Sequence, residues 1–197
     1  MTHHVPRISR FFEALSRAAH ATWSDERGSP AVEFVLIAPF FLLILAATFD
    51  IGMILRLKFG LDAQISAAAN YGQTRGRAVT DAAAGPFAGE IAALMSGGRT
   101  AMDTAVVLNE AARATMIDAT LATSDLTGTM AQCYCPTPAD GDIQWGTARP
   151  CLSSCTDGST AGRFIELWAS TPYISLFGGY GMTEDGTIST HAVVRLE

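Results

Sequence analysis

Residues 27–58 read RGSPAVEFVLIAPFFLLILAATFDIGMILRLK, and this stretch decides what kind of fold the chain can adopt. Sixteen residues from Phe34 to Phe49 carry no charge; Asp50 follows, then a further apolar run, 51–55, ends at Arg56. Taken as 34–55, a helix rising about 1.5 Å per residue measures about 33 Å, enough for a hydrocarbon core of about 30 Å. A cleavable secretory signal has a shorter apolar region of about 7–15 residues, followed by a small-x-small cleavage site. Here the run is longer and continues into sequence with helical spacing. The reading is a retained transmembrane helix over 29–56.

Downstream, Leu57, Leu61 and Ile65 recur at i, i+4, i+8, and Ala67, Ala68 and Ala69 follow, so the helix is expected to persist to about Gly72. A loop and a short helix over 87–95 come next, with Pro86 as its start and Gly97-Gly98 as its stop. Residues 102–121 hold Val106, Ala114 and Ile117 with no internal Gly or Pro, and a further helix is expected there. After Asp125 the texture changes to Thr, Gly, Cys, Pro and aromatics. Residues 164–169 are β-rich, and 187–195 alternate, placing Ile188, Thr190, Ala192 and Val194 on one face. Gly178-Gly179 and Asp185-Gly186 supply turns. The expected fold class is α+β: a long N-terminal helix half in lipid, additional helices, then a small antiparallel sheet with a disulfide-stapled loop. The expected segments are a leader (1–28), the span (29–56), an extracytoplasmic helical region (57–125) and a Cys-containing β-rich region (126–197).

Charge narrows the function classes. The net charge is −6, and the leader 1–28 carries four Arg against three acidic residues, so the excess of acid lies beyond it. Such a surface repels phosphates, and no basic stripe interleaved with aromatics offsets it, which argues against nucleic acid as a partner. Cys133, Cys135, Cys151 and Cys155 cluster beyond the apolar segment, a pattern that suits disulfides in an oxidising compartment. Bonds between the two pairs, crossed or nested, are favoured over Cys133–Cys135, whose side chains point to opposite faces of extended chain. A four-thiolate zinc site is the alternative, although C-x-C is tighter than usual ligand spacing. The basic residues near the span are balanced, Arg17 and Arg27 against Arg56 and Lys58, so the cysteines set the orientation, with the leader cytoplasmic. His191 lies in an alternating strand without a nucleophile at recognised spacing, and Gly178-Gly179-Tyr180-Gly181 reads as a turn rather than a phosphate cradle. No catalytic residue, metal site or cofactor is expected. Trp145, Trp168 and Tyr173 read as core or stapled-loop packing, or as an exposed contact patch.

The entrance of the apolar segment carries the sharpest signal. Glu33 begins a membrane helix, where a carboxylate must be accounted for. It can sit among headgroups and favour the helix N-terminus. Alternatively, a cut after Gly28 would make Ser29 the new N-terminus, and its amine could pair with Glu33 of a neighbouring subunit, setting register in lipid. Gly28, Ser29, Glu33 and Phe34 together resemble a type IV pilin processing site. The stretch 27–58 resembles the TadE-like family of tight-adherence (Tad) pilus proteins, including Pro39 within the apolar run and Asp50-Ile51-Gly52 near its far end. FIELWASTPYISLF and ISTHAVVRLE are similar to the family's last strands. The resemblance implies cleavage after Gly28 by a prepilin peptidase and a span containing Phe34, Pro39, Asp50 and Leu55. It implies a minor pilin or pseudopilin acting in pilus assembly or at the filament tip. The implied partners are other pilin-like subunits (a major pilin and a second minor pilin), an inner-membrane assembly platform and membrane lipid. The implied location is the bacterial inner membrane, single-pass, with a periplasmic C-terminal domain that can pass into the extracellular pilus. The rival reading is an uncleaved anchor presenting a Cys-rich binding module.

Overall fold

A computed structural model of the chain describes residues 29–139 and 142–196; the leader 1–28, with Gly28, lies outside the described residues. The chain divides into two compact units between Thr48 and Phe49, and the first helix, α1 (Ser29–Arg75), contributes to both.

In the first unit α1 is apolar on every side. Val32, Phe34, Val35, Leu36, Ile37, Phe40, Phe41, Leu42, Leu43 and Ile44 are all more than half exposed. Pro39 sits inside the helix and removes one backbone donor, a loss tolerated where neighbouring helices or local adjustment re-satisfy the freed carbonyl. Thr48 donates its hydroxyl to the Ile44 carbonyl at 2.8 Å, so even the polar side chain of this stretch is satisfied within the helix.

In the second unit the same helix turns amphipathic. Ile54, Leu61, Ile65 and Ala68 fall on one stripe and are buried, as period 3.6 dictates for a helix lying on a sheet. The helix runs to Arg75, a little past the expected end, and a 3-10 turn, Gly76–Ala78, follows. Helix α2 (Asp81–Ser96) is longer than expected, with Pro86 inside rather than at its start. Asp81 occupies the first turn, where negative charge is favoured, and its carboxylate accepts from the Met130 N–H at 2.5 Å. Gly97 ends α2 in the left-handed conformation (φ 55°), its N–H reaching the Ala93 carbonyl. The buried face of α2 is rich in small residues, among them Ala84, Gly85, Ala88, Gly89 and Ala92. Small residues let its backbone approach the sheet so closely that a Cβ on Gly89 would come 3.2 Å from Leu121.

The expected helix over 102–121 is not formed. In its place stand β1 (Asp103–Leu108), β2 (Ala112–Ile117) and the start of β3 (Thr120–Asp125), an antiparallel meander. The three-residue β1–β2 turn and the two-residue β2–β3 turn place Asn109 and Glu110, then Asp118 and Ala119, at positive φ, the left-handed conformation by which hairpin turns match strand twist. Neither turn contains glycine, so the usual signature is missing. Thr104, Val106, Leu108, Ala112 and Ala114 alternate into the core, a period-2 pattern that burial enforces more strongly than helix propensity. The segment 57–125 is therefore helical only to Ser96.

The short strands β4 (Thr137–Ala139) and β5 (Asp142–Gln144) pair with each other. β6 (Arg163–Pro172) and β7 (Thr187–Leu196) join the meander to give a five-stranded antiparallel sheet of order β3-β2-β1-β6-β7. Ile188, Ala192 and Val194 face the core as the alternation predicts, and Thr190, on the same face, donates to Asp62 of α1 at 2.6 Å. The class is α+β: a long apolar N-terminal helix, a second helix, an antiparallel sheet and two disulfides.

Candidate functional site

Three features of the molecule have chemistry to offer: the exposed apolar helix, a carboxylate held at its exit, and the sheet face opposite the helices.

The apolar helix is long and apolar enough to cross a membrane, and its most apolar stretch is almost wholly exposed. A helix apolar on all sides requires lipid or other helices around it. Glu33 is exposed on its first turns and Phe34 is 70% exposed, so both are available to a neighbour. Residues 31–49 would measure about 28 Å, close to a hydrocarbon thickness without any contribution from the residues that follow.

Asp50 follows the uncharged run, at the start of the second unit. It is 3% exposed. Tyr173 donates its hydroxyl to Oδ1 at 2.6 Å, Ser175 donates to Oδ2 at 2.7 Å, and the Leu176 backbone N–H donates to Oδ2 at 3.1 Å. These donors hold the Asp50 carboxyl below the usual carboxylate range, the Tyr173 hydroxyl foremost and burial opposing it; the same bond pushes the Tyr173 phenol up. Ile54, four residues on, is fully buried in the main core. Asp50, Ile54 and Leu55 belong to the second unit, where Asp50 has three donors and Ile54 packs in the core. Sequence reasoning marked Asp50 but missed its partners. The available signal was cost: a carboxylate closing an apolar run needs donors, and Tyr173 and Ser175 lie more than 120 residues away.

The stapled loop is built on the far face of the sheet. Cys133 bonds Cys151 and Cys135 bonds Cys155, the crossed arrangement, with Cα separations of 5.0 and 5.8 Å. With every sulfur in a disulfide, none is a thiolate for zinc. Each bridge closes a loop worth about 3 kcal/mol in the chain-entropy account. Asn109, fully buried, pins this loop to the sheet: its amide donates to the Thr129 and Gln132 carbonyls at 2.9 Å each and accepts from the Phe164 N–H at 3.2 Å. Trp145 meets Tyr134 edge-on at 5.9 Å and packs with Val107, so it is loop packing.

Beyond the loop the same sheet face is open. Thr115, Ala105, Trp168 and His191 form one transverse row across β2, β1, β6 and β7. With Val107, Arg113 and Glu166 they line a shallow cavity of about 220 Å³. His191 Nε2 lies 3.1 Å from Glu166, an ion pair only when the imidazole is protonated. Trp168 is 37% exposed. Among the described residues no group of three or more His, Cys, Asp or Glu is placed to hold a metal. Gly178–Gly181 forms a 3-10 turn in the β6–β7 connection.

These features define a class: an α+β protein headed by one apolar, membrane-capable helix and stapled by two disulfides. Residues 28–70 match the family model described as TadE-like protein, and over that segment the resemblance read from the sequence is borne out. The match points to a Tad pilus-related role. The C-terminal likeness read from 164–197 lies outside the matched residues. No curated protein and no solved structure matches the chain.

Proposed function

We propose that this chain is a structural subunit of a bacterial Tad pilus system, a minor pilin or pseudopilin that acts in assembly or at the filament tip through its N-terminal helix. The observation that carries the reading is the first unit of α1: an all-round apolar surface inside the TadE-like match. In this proposal residues 1–28 are a cytoplasmic leader removed by a prepilin peptidase between Gly28 and Ser29, residues 31–49 span the inner membrane, and the disulfide-bonded unit stands in the periplasm. Lateral packing of α1 with helices of a major pilin and a second minor pilin drives incorporation. Glu33 pairs with the Ser29 amine of a neighbour, so that two charges costly in lipid compensate each other and fix the stagger.

Glu33→Ala in the native host tests the mechanism. Cleavage should continue, read by N-terminal analysis of protein from membranes, while the number of assembled pili falls severalfold in electron micrographs. Normal piliation in that variant rejects the pairing. A mature protein retaining residues 1–28 would favour the uncleaved anchor with a binding head.

A further inference from the structure

Loops that join strands are usually polar, because they run through water. The β6–β7 connection departs from this. Ile174 is 92% exposed and Leu176 73%, with Phe177 and Tyr180 each 42% exposed. Four large apolar or aromatic side chains in seven residues, all presented outward, form a patch that calls for an occupant.

Asp50 supplies the reason for choosing lipid. Its carboxylate binds the Tyr173 hydroxyl, the Ser175 hydroxyl and the Leu176 N–H within 3.1 Å, and the Ser175 hydroxyl in turn accepts from the Phe177 N–H at 3.2 Å. The connection is therefore clamped at the level of residue 50. By sequence, Asp50 is the first charge after the run from Phe34, so a bilayer that holds residues 31–49 meets its surface near this level. The side chains that serve the clamp, Tyr173 and Ser175, are partly buried, whereas the alternating Ile174 and Leu176 point away from it and are exposed. Tyrosines such as Tyr180 favour the headgroup boundary.

We propose that residues 174–180 are a membrane-contact element, with Ile174, Leu176 and Phe177 entering the headgroup–acyl boundary of the leaflet from which α1 emerges. The element gives the globular unit a second foothold on the bilayer and keeps Asp50 out of lipid by capping it. Glu184 and Asp185 are exposed on the same connection, so entry is driven by apolar burial and not by attraction to anionic headgroups. The proposal rests on the reading that 31–49 spans the membrane.

The test uses the full chain, disulfides oxidised, in phosphatidylethanolamine–phosphatidylglycerol vesicles. Nitroxide labels are placed at Ile174→Cys or Leu176→Cys, with Leu43→Cys marking the span and Thr147→Cys marking the stapled loop. Power saturation compares accessibility to oxygen, which concentrates in lipid, with accessibility to a water-soluble nickel chelate. The oxygen-to-nickel ratio at 174 and 176 should exceed that at 147 severalfold, approach that at 43, and persist in vesicles of phosphatidylcholine alone. A ratio at 174 and 176 equal to that at 147, while 43 remains in lipid, overturns the loop proposal and leaves the span standing. Shielding from both reagents indicates a protein partner and overturns it too, as does a ratio that collapses in phosphatidylcholine. Nickel access at 43 overturns the span and the loop proposal with it.

Discussion

One helix, α1, carries two regions of different composition and opposite fate. Before Asp50, apolar side chains face every direction and stay exposed; after it, Ile54, Leu61, Ile65 and Ala68 form a buried stripe while Arg56, Lys58 and Gln73 are exposed. Among the described residues the first region packs on nothing, a surface suited to lipid or to other helices. The second region has found its inside in the sheet. The difference lies in both content and periodicity: the second region mixes charged and polar residues with a period-3.6 apolar stripe, whereas the run from Phe34 to Phe49 holds no charge to set against one.

Paired substitutions should expose that difference most strongly. Leu61→Ala removes a side chain that is 1% exposed and should cost about 2–5 kcal/mol of unfolding free energy. Leu43→Ala, on a residue 56% exposed, should stay within about 0.5 kcal/mol. Urea denaturation of the detergent-solubilised full chain, followed through near-UV circular dichroism, compares them; equal costs would break the contrast.

The boundary residue predicts a pH dependence. The folded Asp50 carboxyl lies below its unfolded value, chiefly because Tyr173 donates to the ionised form. Its contribution to stability is thus complete above the ordinary carboxylate range and is lost as pH falls through the depressed folded value. Thermal melts of Asp50→Asn and wild type should differ at neutral pH, with the wild type higher, and converge in acid. Parallel curves at every pH would deny that the clamp holds a charge.

The smallest effect concerns the glycines of α1. A Cβ at Gly60 meets nothing within 4 Å, whereas one at Gly72 comes 3.3 Å from Ile165. Gly60→Ala should gain about 0.5–1 kcal/mol from reduced chain entropy. Gly72→Ala should gain less, because Ile165 must shift, and denaturation midpoints of the two variants separate the cases.

What could be read in advance follows the same physical line. The apolar run, the stripe at Leu61 and Ile65, the Gly97 stop and the alternation of β7 are local patterns, each repeated over enough residues to declare its period. Residues 102–121 misled because their hairpins turn on Asn109-Glu110 and Asp118-Ala119, without the glycine that marks such turns, and because six-residue strands give few repeats. Trp168 and Trp145 could not be told apart from sequence either; the first stands on open sheet and the second lies under the stapled loop.

By itself the sequence determined that a membrane-capable helix of TadE-like character lies near the N-terminal end, that four cysteines sit in two short clusters, and that strands lie towards the C-terminal end. Those properties depend on composition and short-range spacing. Only the tertiary structure decided what holds the Asp50 carboxylate, since donors from Tyr173, Ser175 and Leu176 converge on it. Hydrogen bonds between groups so distant along the chain leave no periodic trace, because their geometry exists only after the sheet has folded against the helix.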